Sequence, residues 1–238
     1  MVSPVPLRVK RTRQPTTTEI IMIRNSKLPT LATALALLAA AGCHAGKPVQ
    51  TEAARVARGQ MLVSIGGCND CHTPMKFDPE LGMPVHDATR LLSGHPQGGP
   101  EPASTLAGHD NGVIGPTFTS FRLPFGVVYA ANLTPDADTG LGAWTEDMFL
   151  RAVRTGRHMG GNGRPILPPM PWTNLALQTD DDLKAIFAYL HSLPAIRNDV
   201  PAPKVPDAAL TAIAGAYEKA KARTYAESLS TAPKAVQR

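Results

Sequence analysis

Aromatic residues are scarce in this chain. Six Phe, four Tyr and two Trp make up 5% of its 238 residues. An interior of ordinary aromatic density is excluded at that level, so other apolar bulk must fill the core. Cysteine is scarcer still, at three, and an odd number leaves at least one thiol unpaired, a liability in an oxidising compartment. An excess of one charge is missing too, despite a formal net charge of +5. Residues 1–42 hold six bases (Arg8, Lys10, Arg11, Arg13, Arg24, Lys27) and one acid, Glu19. Taking these from totals of 24 and 19 leaves eighteen of each sign in the rest of the chain. A neutral body offers no basic face for nucleic acid. No internal repeat occurs, and the length suits one good-sized domain or two small ones.

Against these absences stands one run, Cys68-Asn69-Asp70-Cys71-His72. Its Cys-x-x-Cys-His spacing is the attachment signature of c-type haem. Two thiols three positions apart on a helical turn reach both vinyl groups of one porphyrin. The next residue then lies under the ring, where a His nitrogen meets the iron. A buried porphyrin is also a large apolar body, which suits a chain short of aromatics. Cys-x-x-Cys serves elsewhere as a redox dithiol, which wants a βαβ setting, or as half a zinc site, which wants a second ligand pair at short spacing. No such alternation is visible here, and neither His86/His95 nor His109/His158 has the spacing. The motif occurs once. It predicts one haem c held by Cys68 and Cys71, with His72 on the iron. The other nitrogen of His72 is expected to donate to a backbone carbonyl.

The N-terminus reads as an export signal over residues 1–42. Arg24 and Lys27 form a basic n-region, and residues 28–41 are apolar and Ala/Leu-rich, about signal length and short for a membrane span. Residues 1–21 fit no signal, so Met22 reads as its start. Leu38-Ala39-Ala40-Ala41-Gly42-Cys43 resembles a bacterial lipobox, with Ala40 where that pattern favours Leu. Lipid on Cys43 would give the third thiol a role. Ordinary cleavage near Ala-x-Ala and a retained signal anchor are the alternatives. The expected location is periplasmic, soluble or lipid-anchored.

After a linker over 43–51, the pattern predicts a helix over 52–65, with Ala53, Val56, Gly59, Gln60 and Val63 on one side and Gly66-Gly67 as its stop. Residues 73–128 are rich in Pro and Gly, with Gly94-His95-Pro96-Gln97-Gly98-Gly99-Pro100 as the clearest breaker and strand character only near 118–121 and 127–130. Thr145 is the expected cap of a helix carrying Met148, Phe149, Ala152 and Val153, which Gly156 stops. Thr179 caps another, with Leu183, Ile186, Phe187 and Leu190 at helical spacing and Pro194 beyond its end. Residues 195–206 read as a stiff Pro-rich linker, and 207–238 as a helical or disordered tail.

A sixth iron ligand must come from beyond the motif. Met170 stands in Pro168-Pro169-Met170-Pro171, where proline restricts the backbone on both sides. A stiff loop that already holds the sulfur favours a weak thioether bond. Met159 and His158 are its rivals. Trp144 and Trp172 have indole N–H groups that suit haem propionates, and Arg151 or Arg154 could pair with them; ordinary packing and a solvated face account for the same residues. His44, His86, His95, His109 and His191 read as surface residues.

Residues 52–194 resemble the class I cytochrome c domain and, more narrowly, the haem domains of bacterial membrane-bound dehydrogenase cytochrome c subunits. The resemblance is carried by Arg58-Gly59, Cys68-Asn69-Asp70-Cys71-His72-Thr73-Pro74, Asn132-Leu133-Thr134-Pro135-Asp136, Gly140-Leu141-Gly142-Ala143-Trp144-Thr145-Glu146, Pro168-Pro169-Met170-Pro171-Trp172 and Leu183-Lys184-Ala185-Ile186-Phe187-Ala188-Tyr189-Leu190. It implies an all-α cytochrome c fold, three to four core helices around one haem with long Gly/Pro-rich loops. It also implies His72/Met170 ligation, a Pro carbonyl (Pro74, Pro79 or Pro84) as the partner of His72, and a close crossing of first and last helices at Gly59 against Phe187 or Tyr189. Those subunits usually carry several haem domains, whereas this chain has one motif. The expected function is one-electron transfer rather than catalysis, with a periplasmic dehydrogenase on one side and a terminal oxidase or another cytochrome on the other, docked over a small interface. The alternative is a five-coordinate haem that binds a small gas or peroxide, and a third reading is a haem-free dithiol.

Overall fold

A computed structural model of the chain describes residues 51–104, 112–161 and 163–231, with side chains as far as residue 220. The expected export signal and Cys43 lie outside the described residues. In chain order the described elements are α1 Glu52–Ile65, α2 Cys68–His72, β1 Met75–Asp78, β2 Met83–His86, β3 Val113–Ile114, β4 Ser120–Leu123, β5 Gly126–Tyr129, α3 Glu146–Thr155, α4 Trp172–Leu175, α5 Asp180–Ser192 and α6 Asp207–Thr231.

The three long core helices begin where a threonine supplies a cap. Thr51, Thr145 and Thr179 accept from the N–H groups of Ala54, Met148 and Asp182, at 3.2, 3.2 and 3.1 Å. Each satisfies one of the four donors that a helix leaves bare at its start. Gly156, at φ +67°, ends α3 in the left-handed region that glycine enters without penalty. Helices α1 and α5 then cross at Gly59. A Cβ there would lie 1.9 Å from the Ala185 carbonyl oxygen and 2.8 Å from Tyr189 Cβ. Only a residue without a side chain admits that approach. Arg58 and Asp182 close the crossing with an ion pair at 2.8 Å. Val63, Phe149, Leu183, Ile186 and Phe187 form the apolar cluster beneath it, together with Leu92 from the loop region.

The expectation of an all-α fold holds only in part. The protein is mainly helical, but residues 75–129 carry two small antiparallel sheets. Strands β1 and β2 pair Met75 with His86 and Asp78 with Met83. Their Phe77 and Met83 are exposed, so no buried alternation marks them in the sequence. Strands β3, β4 and β5 form the second sheet in that order. Phe121 of β4 sits opposite Val128 of β5, and both join Leu167 in a second apolar cluster. Leu210 and Ile213, from the first turns of α6, cover that cluster.

Residues 195–206 run extended against the body. Lys204 and Val127 exchange backbone hydrogen bonds of 2.8 and 3.1 Å, which lengthens β5 with one further bridge. Among the described residues no helix is long and apolar enough to cross a membrane.

Candidate cofactor site

The Cys-x-x-Cys-His run folds as the single helical turn α2. Gly66 ends α1 and Gly67, at φ +64°, turns the chain into the next helix. The turn lies between the two apolar clusters. Cys68 packs against the helical one and Cys71 against the strand one. Both thiols are free and half-buried. Burial pushes both thiols above their ordinary value, Asp70 adding to the effect. A dithiol poised for exchange has the opposite shift, because the thiolate is its nucleophile.

His72 is 8% exposed, and its Nδ1 lies 2.7 Å from the carbonyl oxygen of Ala131. A carbonyl can only accept, so Nδ1 carries the proton and Nε2 keeps its lone pair. Burial holds the imidazole below its ordinary pKa, with the Ala131 bond opposing. The ring is therefore neutral at neutral pH, the form that binds a metal. The expected carbonyl partner is found in kind and corrected in place. It is Ala131, not Pro74, Pro79 or Pro84. The reason is distance along the chain: 59 residues separate the pair, and nothing local to the motif marks Ala131.

Met170 is half-buried in a loop fixed at both ends. Leu167 lies in the strand cluster, the one Cys71 packs on, and the Met170 N–H donates to its carbonyl at 3.2 Å. Trp172, just after, is fully buried. Its ring lies over Gly156, where a Cβ would come within 2.4 Å. Trp172 Nε1 is buried against Tyr217, whose ring stands edge-on at 5.1 Å and whose hydroxyl interacts with the indole N–H. Trp144 is half-buried against the helical cluster that also holds Cys68 and meets His158 edge-on at 5.1 Å. Met159 is 49% exposed.

The two arginines singled out from sequence are already engaged. Arg151 pairs with Asp147 one turn back and is exposed, and Arg154 pairs with Asp180 and the Gln178 carbonyl. His95 is a second correction. The expected surface residue is 1% exposed, with Nδ1 2.9 Å from Thr119 Oγ1 and Tyr129 beside it. The breaker-rich stretch around it hides this, since Gly and Pro neighbours usually mark exposed turns. Among the described residues no three His, Cys, Asp or Glu side chains gather to hold a bare metal ion.

The groups present fit a covalently held porphyrin. Two unpaired thiols stand on one turn, a neutral imidazole has one nitrogen committed and the other free, and apolar surfaces flank the turn on both sides.

No family model matches the chain. Curated relatives do. A nicotinate dehydrogenase subunit of Pseudomonas putida is 31% identical over 150 residues, 63% of this chain and 10% of that protein. The gluconate 2-dehydrogenase cytochrome c subunit of Pantoea cypripedii is 29% identical over 160 residues, 65% of this chain and 28% of the relative. The cytochrome c subunit of the quinone alcohol dehydrogenase of Gluconobacter oxydans is 25% identical over 174 residues, 72% and 28%. This chain therefore resembles cytochrome c subunits of dehydrogenases, as its motifs imply, and spans between 10% and 28% of the length of these relatives.

Proposed function

We propose that this chain is a periplasmic one-electron carrier with a single c-type haem, attached through Cys68 and Cys71 and ligated by His72 and Met170. The observation that carries the reading is His72: buried, neutral, tied through Nδ1 to Ala131, and set between two free thiols' apolar surroundings. When bound, the haem supplies an iron that cycles between Fe(II) and Fe(III). The chain supplies the rest. Cys68 and Cys71 would hold the group through thioethers, and His72 would offer Nε2 to its iron. Met170, on its pinned loop, would offer its sulfur as the further ligand, which favours the reduced state relative to a second His. The two apolar clusters would exclude water from the group, and Trp172 would pack beside it. With His72 and Met170 both committed to the iron, the chain would offer it electron transfer rather than substrate chemistry. The relatives' names support a dehydrogenase as the electron donor; an oxidase or another cytochrome is the acceptor we assign, and Cys43 is the point of lipid attachment.

The test is expression of the full chain in the periplasm of a host with haem-attachment machinery. The expected mass includes one haem, and the oxidised protein shows the weak near-infrared band of Met sulfur on ferric iron. Met170→Leu removes that band and opens the iron to carbon monoxide, while Met159→Leu leaves both unchanged. A wild-type mass without haem overturns the reading. A loaded protein with no near-infrared band and ready carbon monoxide binding replaces it with the five-coordinate alternative. Cys43→Ser should release the protein from the membrane fraction.

A further inference from the structure

Two loops grip His72, and a third segment holds both loops. The Gly94 N–H donates to the His72 carbonyl at 2.7 Å, and the Ala131 carbonyl accepts from the ring at 2.7 Å. The two loops lie directly on each other. A Cβ on Gly94 would stand 2.5 Å from the Ala130 oxygen and 2.6 Å from the Ala131 oxygen, and His95 N–H donates to the Ala130 carbonyl at 2.9 Å.

The third segment is 196–198. Asn198 is 2% exposed, and its Nδ2 donates to the carbonyls of Ser93 and His95 at 2.6 and 2.8 Å, the two that flank Gly94. Its Oδ1 accepts from the Gln97 N–H at 2.9 Å. Asn132 follows Ala131 directly, and its Nδ2 donates to the Ile196 carbonyl at 2.8 Å. Thr134 Oγ1, tied to Asn132, accepts from the Ile196 N–H at 3.1 Å. Both donor hydrogens and the acceptor of Asn198 are used. Fully satisfied buried networks of this kind fix a single arrangement, and a partly broken one is costly.

We infer that residues 196–198 are a positioning clasp for His72. Asn198 locks the Gly94 loop and Ile196 locks the Asn132 loop, so the imidazole keeps one ring plane and one tautomer. The inference rests on His72 as an iron ligand, and it adds a consequence to that role. A hydrogen-bonded imidazole is a stronger donor, which stabilises the oxidised iron. Loosening the clasp therefore raises the reduction potential without touching a ligand.

The experiment compares wild type with Asn198→Ala and Asn198→Ser in the full chain, and with Thr179→Ala as a distant destabilised control. Two readouts are taken on the protein as isolated: exchange of the His72 Nδ1 proton by nitrogen-15 NMR, in the reduced form where haem is bound, and the reduction potential. In Asn198→Ala the proton is expected to exchange about tenfold faster, as for the loss of one net hydrogen bond. The potential rises, Asn198→Ser lies between, and Thr179→Ala matches wild type. Folded Asn198 variants with wild-type exchange and potential overturn the inference. If neither variant folds, wild type decides. A clasp needs the Asn198 amide and the His72 Nδ1 proton protected together, and a freely exchanging amide beside a protected imidazole overturns it. A chain isolated folded and without haem sinks the proposed function alone, because proton exchange in that chain still decides the clasp.

Discussion

Cys68 and Cys71 lie one helical turn apart, yet they belong to two differently built halves of the molecule. On the Cys68 side, capped helices bury aliphatic and aromatic side chains, and the decisive contact is a backbone crossing at Gly59. On the Cys71 side the apolar cluster is small, and the loops about His72 are ordered instead by buried Asn and Thr side chains bonded to backbone. The first half is held by area removed from water, which is non-directional and tolerates small shifts. The second is held by directional bonds whose loss leaves unpaired groups, so it tolerates little. The haem proposed for this turn would gain a firm floor from one and a defined His72 orientation from the other.

The sharpest way to break the contrast is at the crossing. Gly59→Val forces a side chain onto the Ala185 carbonyl, a backbone atom that cannot step aside, and cooperative unfolding by circular dichroism should disappear. Next comes the size of the two clusters. Leu183→Ala, at a fully buried site, is expected to cost about 4 kcal/mol, and Leu167→Ala in the smaller cluster about 2 kcal/mol. Urea unfolding checks both, and equal losses would erase the contrast. Gly94→Ala probes the polar half directly. Its φ of +78° and the 2.5 Å approach to the Ala130 oxygen predict a loss of about 2 kcal/mol by the same assay, with a changed His72 NMR signal that Leu183→Ala lacks.

Smaller effects belong to the helix ends. Thr145→Ala and Thr179→Ala should each cost about 1 kcal/mol in thermal or denaturant unfolding. The smallest is a pH effect at the crossing. The Arg58 hydrogen bond holds the Asp182 carboxyl below its ordinary range. A folded value below the unfolded one gives stability that is present above about pH 4 and lost as the pH falls through the folded value. Wild type should therefore exceed Asp182→Asn at neutral pH, and the gap should close in acid. A gap that is flat with pH removes this ion pair from the account.

The helical half was largely legible in the chain. Caps at Thr145 and Thr179, the stop at Gly156 and the 3.6-residue spacing of Leu183, Ile186, Phe187 and Leu190 are local signals, and each helix formed where they stand. Resemblance supplied the crossing at Gly59, and Tyr189 and Ala185 are what it meets. The loop half was mostly illegible. The strands β1 and β2 have no buried alternation, His95 sits among turn formers, and residues 195–206 look like a spacer. Of the candidate site, the single turn from Cys68 to His72 could be read directly, because its spacing is local. The Ala131 carbonyl could not, nor could Asn198, since neither has a distinctive neighbour pattern.

The amino-acid sequence by itself determined the chemistry on offer: two thiols and an imidazole at one turn's spacing, a thioether between prolines, and helices capped at Thr145 and Thr179. These depend on contacts between residues a few positions apart. Only the tertiary structure decided which carbonyl holds His72, which cluster each thiol packs on and what braces the loops. Those contacts join residues 59 and more than 100 positions apart. A backbone carbonyl is the same group in every residue, so folding alone selects the one that meets the ring.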